Sequence, residues 1–554
     1  MTQASDARVE WTIEIDGMTC DDCATTIDDT LRRLPGVVES TTRYAERKAR
    51  VLTEKSVPRA VLAAAIASRG YKVVDASTRP VGIEPASSGA DFDLVIVGGG
   101  SAAFAAAIRA SDLGARTAIV ERGALGGTCV NVGCVPSKTM IRAAEVLHRA
   151  AHHPFAGIRA SVSPPDFPAI VRQKDELVGN LQQEKYWKVL EALPSVTLVR
   201  GAAKLGPDGE LLVDGQPVRA GKILLATGAS AWAPPIPGLA DAPYLTSTEA
   251  LSLPSLPKSL IVLGGGAVGI ELAQLFARLG TRVTVLEALH RIVPVEEADI
   301  GNELARYLRA EGLTVEAGAM VRQVSGGMGA WRVEVDGAGG SRSFEAEHLL
   351  VATGRRPNTR GLGLEESGIQ LGKRGEVMVD EHLESTRPGI YAAGDVIGDP
   401  AFVYVAAYAG SLAAENALRG NGRSYDLRVV PRVTFTDPAV ASVGETEAQA
   451  RERGLDVAVS NLPMEYVPRA IAARDTRGFI RLVADRKTKL LVGAHILAPE
   501  AGEMIQEAAM AIRFGIRVDE LATMLHPYLT HAEGMKLACQ TFDKDVARLS
   551  CCAA

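Results

Sequence analysis

The sequence predicts an α/β protein with two Rossmann-like dinucleotide-binding units, a C-terminal α+β dimerisation domain, and a small βαββαβ ferredoxin-like metal-binding domain in front of them. Three observations predict it. Two segments, FDLVIVGGGSAAFAAAIRASDLGARTAIVE and KSLIVLGGGAVGIELAQLFARLGTRVTVLE, resemble each other. Each reads as an apolar strand, a glycine turn, a helix of small residues and a second strand ending in an acid. The first ~75 residues alternate strand and helix periodicity on their own account. Beyond Pro431 the glycine turns vanish, and alternating strands give way to amphipathic helices.

Composition sets the frame. A chain of 554 residues is too long for one hydrophobic core. With 47% hydrophobic and 23% charged residues it reads as an ordinary globular protein, and no uncharged apolar run reaches the ~18 residues of a membrane span. The start, MTQASDARVE, has neither a basic n-region nor an apolar h-region, which predicts a cytoplasmic protein. A net charge of −6 without any Lys/Arg-rich block argues against nucleic acid as a partner. Of seven cysteines, six fall into close pairs: Cys20/Cys23, Cys129/Cys134 and Cys551/Cys552. In a reducing compartment such pairs read as redox or metal sites rather than staples. Cys539, in a helical stretch, reads as a small buried apolar residue.

In chain order, residues 1–75 read as a strand at 11–15, a cysteine loop, a helix to about Leu34, strands around Val37 and at 49–52, a helix at 57–68 and a strand at 71–74. That order is βαββαβ. The loop carries Gly17-Met18-Thr19-Cys20-Asp21-Asp22-Cys23, whose two thiols can bind one soft ion through two short, near-linear bonds. Residues 76–90, rich in Ser, Pro, Gly and Ala, read as a flexible linker. In the first repeat, Gly98 and Gly100 permit the tight turn and close approach of a pyrophosphate. Ala103 lets the helix pack on the strand, and Glu121 is placed to accept hydrogen bonds from a ribose. In the second repeat Gly264, Gly266 and Gly269 do the same. Glu287 there favours a 2′-hydroxyl over a 2′-phosphate, hence NADH, although His290 and Arg291 are close enough to receive a phosphate.

Between the repeats lies GGTCVNVGCVPSK. Four residues separate Cys129 from Cys134, enough for a short loop that brings the sulfurs together at a helix start whose positive end lowers a thiol pKa. With this motif in place, residues 91–545 resemble the pyridine nucleotide-disulfide oxidoreductase family, as in glutathione reductase and lipoamide dehydrogenase. The resemblance implies an FAD-binding domain at 91–240 and 366–430, an NAD(P)-binding domain at 241–365 and a dimerisation domain at 431–554. It implies that Cys134 lies against the flavin as the charge-transfer thiolate, that Cys129 is the outer thiol, that Lys138 pairs with Glu271, and that Thr128 and Asp395 (in TRPGIYAAGD) hold FAD.

The chain departs from the disulfide-reducing members in one place. They carry a His five residues before a Glu, but five before Glu533 stands Tyr528; His526 is out of register by two. Reductive cleavage of a disulfide needs a proton donor for the leaving thiolate, whereas a metal ion between two thiolates needs electrons and deprotonated sulfurs. The Cys551-Cys552 tail, a flexible pair of soft ligands, points the same way. The N-terminal unit resembles the heavy-metal-associated domain. Together with LACQTFDKDVARLSCC these features resemble the mercuric reductase branch of the family. That likeness implies reduction of Hg(II), delivered by thiols or metal-transfer proteins, by NADPH or NADH through FAD. It also implies a homodimer in which Cys551 and Cys552 serve the partner's Cys129 and Cys134, and Tyr186 and Tyr528 flank the metal; for Tyr186 a plain aromatic wall is the alternative. Two other readings stay open, a lipoamide- or glutathione-type disulfide reductase and a metal carrier whose flavin domain keeps its thiols reduced.

Overall fold

The computed structural model describes residues 8–54, 57–80, 89–240, 242–337 and 340–546. Contacts divide the chain into two compact units, 1–88 and 89–554.

In the first unit, strands Arg8–Asp16, Val37–Arg43, Lys48–Glu54 and Lys72–Pro80 form one antiparallel sheet in the order second, third, first, fourth. The alternation in the first strand turns Ile13 and Ile15 inward, where they meet Ala24, Ile27 and Leu31 of helix Asp21–Arg32 and Leu62 and Ile66 of helix Arg59–Ala67. Buried Asp28 accepts hydrogen bonds from the Ser40 hydroxyl and from the Thr42 amide and hydroxyl, so its charge is compensated. The last strand runs on to Pro80, pairing it with Val9, and so extends into the stretch read as linker. The physical reason is the first strand, which starts at Arg8 and offers backbone partners that far out.

The second unit holds two parallel sheets. The first has the order Ile390–Ala392, Ala220–Leu225, Phe92–Val97, Thr117–Glu121, Val196–Arg200. Helix Ser101–Asp112 packs against helix Val403–Arg419, and a Cβ on Gly410 would stand 2.0 Å from the Ala102 carbonyl oxygen, so only glycine permits this approach. The second sheet has the order Thr314–Ala317, Arg282–Glu287, Ser259–Leu263, His348–Val351. Strand Ser259–Leu263 is buried along its whole length, as a strand covered on both faces must be. An antiparallel meander, Met320–Gly327, Ala330–Gly337 and Gly340–Ala346, buries Trp331 beside this sheet. The C-terminal domain is a five-stranded antiparallel sheet backed by helices Ala501–Phe514 and Glu533–Gln540, with Cys539 buried. Buried Arg278, paired with Glu311 of its own unit, ties the second nucleotide unit to this domain through Asp437. The predicted class is the observed one. Among the described residues no helix is long and apolar enough to cross a membrane.

Candidate active site

Strand Phe92–Val97 ends in a turn that only glycine can make. Gly98 has φ +118°, and a Cβ there would stand 2.3 Å from the Ala226 carbonyl oxygen. Gly127, at φ +60°, approaches Gly100 so closely that its Cβ would come within 2.7 Å of the Gly100 Cα. These contacts leave a cleft at the start of helix Ser101–Asp112, whose free amides face it. Gly98, Gly100, Glu121, Thr128, Cys129, Cys134, Lys138, Glu271 and Asp395 all line it. Ala103 lies fully buried beneath the turn. The Glu121 carboxylate accepts the Gly123 amide at 2.6 Å, which fixes it at the rim. Asp395 opens the short turn Asp395–Ile397; burial holds its carboxyl above the usual range, and Arg355, 3.8 Å away, opposes that. A cleft edged by a glycine turn, with a helix amino end on one side and a carboxylate at the rim, fits a dinucleotide such as FAD.

Both sulfurs of the predicted pair line this cleft. Cys134 is the first residue of helix Cys134–Ala151, as its place in the motif predicts. Hydrogen bonding by the Cys129 thiol lowers the Cys134 pKa to about 6; burial works against this, and the nearby Lys138 charge assists. The same bond pushes the Cys129 thiol far up. Near neutral pH the pair is therefore one thiolate and one thiol. The Lys138 ammonium donates to Glu271 at 2.6 Å and lies 4.8 Å from the centre of the Phe435 ring, while the Phe435 amide donates to the other Glu271 oxygen.

Tyr186 sits on a π-helical turn, Gln183–Trp187, inserted after helix Phe167–Gln182. The extra residue turns the ring inward, edge-on to Phe104 at 4.6 Å, and leaves it 7% exposed. Burial raises the phenol pKa, the Ser101 hydroxyl bonded to it counters this, and the charges of Cys129 and Cys134 raise it further.

The second turn is built alike. A Cβ on Gly264 (φ +106°) would stand 2.5 Å from the Ala352 oxygen, one on Gly269 2.0 Å from the Gly264 oxygen, and Gly266 caps helix Ala267–Leu279. Glu287 is 8% exposed, and its two oxygens accept the Gly265 amide at 2.6 Å and the Leu289 amide at 2.7 Å. Its carboxylate thus braces the turn as well as charging it.

In the N-terminal unit Cys20 caps the first helix and its sulfur lies 3.6 Å from that of Cys23. The Thr19 amide, then the Tyr71 and Thr19 hydroxyls, lower the Cys23 pKa to about 6. Three predicted sites are not among the cleft-lining residues of this single chain, buried Tyr186 being one. Tyr528 is 53% exposed and does not line it, and Cys551 and Cys552 lie outside the described residues.

Sequence reasoning passed over Ser101, Phe435 and Arg355, whose guanidinium donates to the Thr128 hydroxyl. One signal was available: ATG recurs at 226–228 and 352–354, marking the same strand end in both repeats. The Phe435 contact has no such mark.

A pyridine nucleotide-disulphide oxidoreductase model matches residues 92–410, the dimerisation-domain model of the same family 430–539, and a heavy-metal-associated domain model 12–72. A mercuric reductase from Staphylococcus aureus is 42% identical over 556 residues, covering 100% of each chain. The chain belongs to the pyridine nucleotide-disulphide oxidoreductase family, in its mercuric reductase branch. A mercuric reductase from Streptomyces lividans is 50% identical over 83% of this chain and 98% of its own. Among solved structures, the HOCl-induced flavoprotein disulfide reductase of Escherichia coli, as a Cu(II) complex, superposes with a TM-score of 0.72 at 32% identity. It covers 81% of this chain and 99% of its own. The family uses FAD and NAD(P)H, and the cleft described above accommodates such a group.

Proposed function

We propose that the protein reduces Hg(II) held by thiolates to elemental mercury at the expense of NAD(P)H. The observation that carries this is the free pair Cys129/Cys134, one thiolate beside one thiol, lining a dinucleotide cleft. It stands in a chain that matches mercuric reductases over its whole length. The balance is Hg(SR)₂ + NAD(P)H + H⁺ → Hg⁰ + NAD(P)⁺ + 2 RSH. The first glycine turn, Glu121 and Asp395 would hold FAD, which when bound would supply two-electron chemistry.

The residues do the rest. The Cys134 thiolate is ready to bind a soft ion, and Cys129 becomes its second ligand on losing a proton. Lys138, held by Glu271, keeps the Cys134 charge stabilised in a cleft where burial opposes it. The Tyr186 phenol closes one side of the sulfur pair and excludes water.

The protein works as a homodimer in the cytoplasm, where free thiol pairs persist. In it Cys551 and Cys552 hand the ion to the partner's sulfurs, and Tyr528 completes the metal site from across the interface. Cys20 and Cys23 collect mercury from small thiols or transfer proteins and raise its local concentration, a tethering effect. On the coenzyme, Glu287 tilts the choice toward NADH; His290 and Arg291 are the cations a 2′-phosphate would meet.

The test is mercury-dependent oxidation of NADH and NADPH with capture of volatile metal, for the intact protein and for Cys551→Ala/Cys552→Ala. Mercury-independent oxidation, or equal turnover of a disulfide, would overturn the reading.

A further inference from the structure

His526 stands two residues before Tyr528, and its position makes it a tempting base. The structure turns it away from that role. Its side chain is 6% exposed; Nε2 lies 2.9 Å from Glu507 Oε1 of helix Ala501–Phe514, and Nδ1 lies 3.2 Å from the Met524 carbonyl oxygen. Both ring nitrogens are thus engaged inside the chain, and none is left to meet a substrate.

What the ring fixes is the loop that follows. Leu529 is held at φ +61°, a left-handed conformation that a leucine adopts only when its surroundings impose it. The Thr530 hydroxyl closes the turn on the Pro527 carbonyl oxygen at 2.8 Å, and the Glu533 amide donates back to Thr530. Between these anchors Tyr528 projects outward, 53% exposed, beside Leu525, which is 95% exposed. A loop with a buried imidazole at one end, a hydroxyl clasp at the other and a strained residue between is built to hold one side chain in one place.

We infer that His526 and Glu507 are a positioning pair for Tyr528: through the 527–530 loop they hold its phenol in the orientation that meets the metal. The inference rests on the reading that Tyr528 belongs to the metal site. Neither residue touches the reacting atoms, so the pair acts on metal binding and not on the supply of electrons.

Four variants of the full-length flavin-loaded dimer test it: His526→Ala, His526→Gln, Tyr528→Phe and His526→Ala/Tyr528→Phe. The readouts are KM and kcat for a mercury dithiolate, reduction of an artificial electron acceptor by NAD(P)H, and thermal unfolding. His526→Ala is expected to raise KM about tenfold while leaving acceptor reduction unchanged, and His526→Gln, whose amide can still donate to Glu507, to recover most of the loss. The double variant is expected to be no worse than Tyr528→Phe alone. If Tyr528→Phe is itself without effect on mercury turnover, the metal-site reading of Tyr528 fails. If Tyr528→Phe is impaired but His526→Ala matches the wild type, or the two losses multiply in full, the positioning role is overturned.

Discussion

Two thiol pairs in this chain arrive at the same chemical state by opposite routes. In the N-terminal unit Cys23 is brought to about 6 at the surface by the Thr19 amide and by the Tyr71 and Thr19 hydroxyls. In the core Cys134 reaches about 6 against burial, by its bond to Cys129 and the charge on Lys138. Both pairs can hold a soft ion between two sulfurs. Only the second lies in a cleft with a glycine turn and an amino-terminal helix end. The same ligand type thus stands in two different surroundings, and the proposed division between binding and reduction rests on that contrast.

Breaking the two pairs in turn should separate these roles by the widest margin. Cys134→Ser is expected to lower mercury reduction on the order of a thousandfold or more, since it removes a group on which the others act. Cys20→Ser/Cys23→Ser should cost less than about threefold when small thiols are plentiful, because it removes only local concentration. Comparable losses in the two variants, measured as NAD(P)H oxidation per enzyme, would erase the distinction.

The charge on Lys138 is the next lever. Lys138 favours the Cys134 thiolate, so Lys138→Met should move the midpoint of thiolate absorbance upward from about 6 toward an ordinary thiol. The thiolate is present above the midpoint and lost as pH falls through it, so wild-type turnover should fail below about pH 6 and that of the variant at higher pH. At neutral pH we expect a loss of about tenfold, with little change in any titration of Cys23. A midpoint that stays in place would assign the stabilisation to Cys129 alone.

How much of this contrast could be read beforehand follows from the range of the contacts. The glycine turns, the two thiol pairs and the start of the helix at Cys134 are local patterns, and each stands where the sequence places it. Glu271 opposite Lys138, 133 residues apart, was legible only by resemblance. Phe435 over Lys138, the Ser101 bond to Tyr186 and the π-helical turn depend on packing between distant segments, and nothing in the local composition marks them. In the C-terminal sheet, strands Ala439–Gly444 and Val457–Pro463 interleave small and polar residues with the apolar ones and draw their stability from neighbours, so local pattern marks them weakly. The last strand of the first unit was cut short for a similar reason: its end pairs with residues at the start of the chain.

Coenzyme choice sharpens the comparison from the core side, since a carboxylate bracing a nucleotide turn has no counterpart beside Cys20. Glu287→Gln keeps an acceptor for the Gly265 amide while removing the charge. The ratio of kcat/KM for NADH over NADPH is expected to fall about fivefold to tenfold, through better use of NADPH. An unchanged ratio would mean that the two amide bonds already cancel the carboxylate's effect on a 2′-phosphate.

The smallest effect is expected at the surface pair. Tyr71 is the second of four groups that favour the Cys23 thiolate, after the Thr19 amide, and the site is open to water. Tyr71→Phe should therefore raise the pH midpoint for alkylation of Cys23, followed by mass spectrometry on the full chain, only part of the way from about 6 toward its ordinary value of 9.0. Turnover at neutral pH should change less than about threefold, since the remaining hydrogen bonds keep the thiolate populated and solvent competes for the lost one. A loss as large as that in Lys138→Met would make the surface pair a gate on catalysis, and the two regions would then share one role rather than divide it.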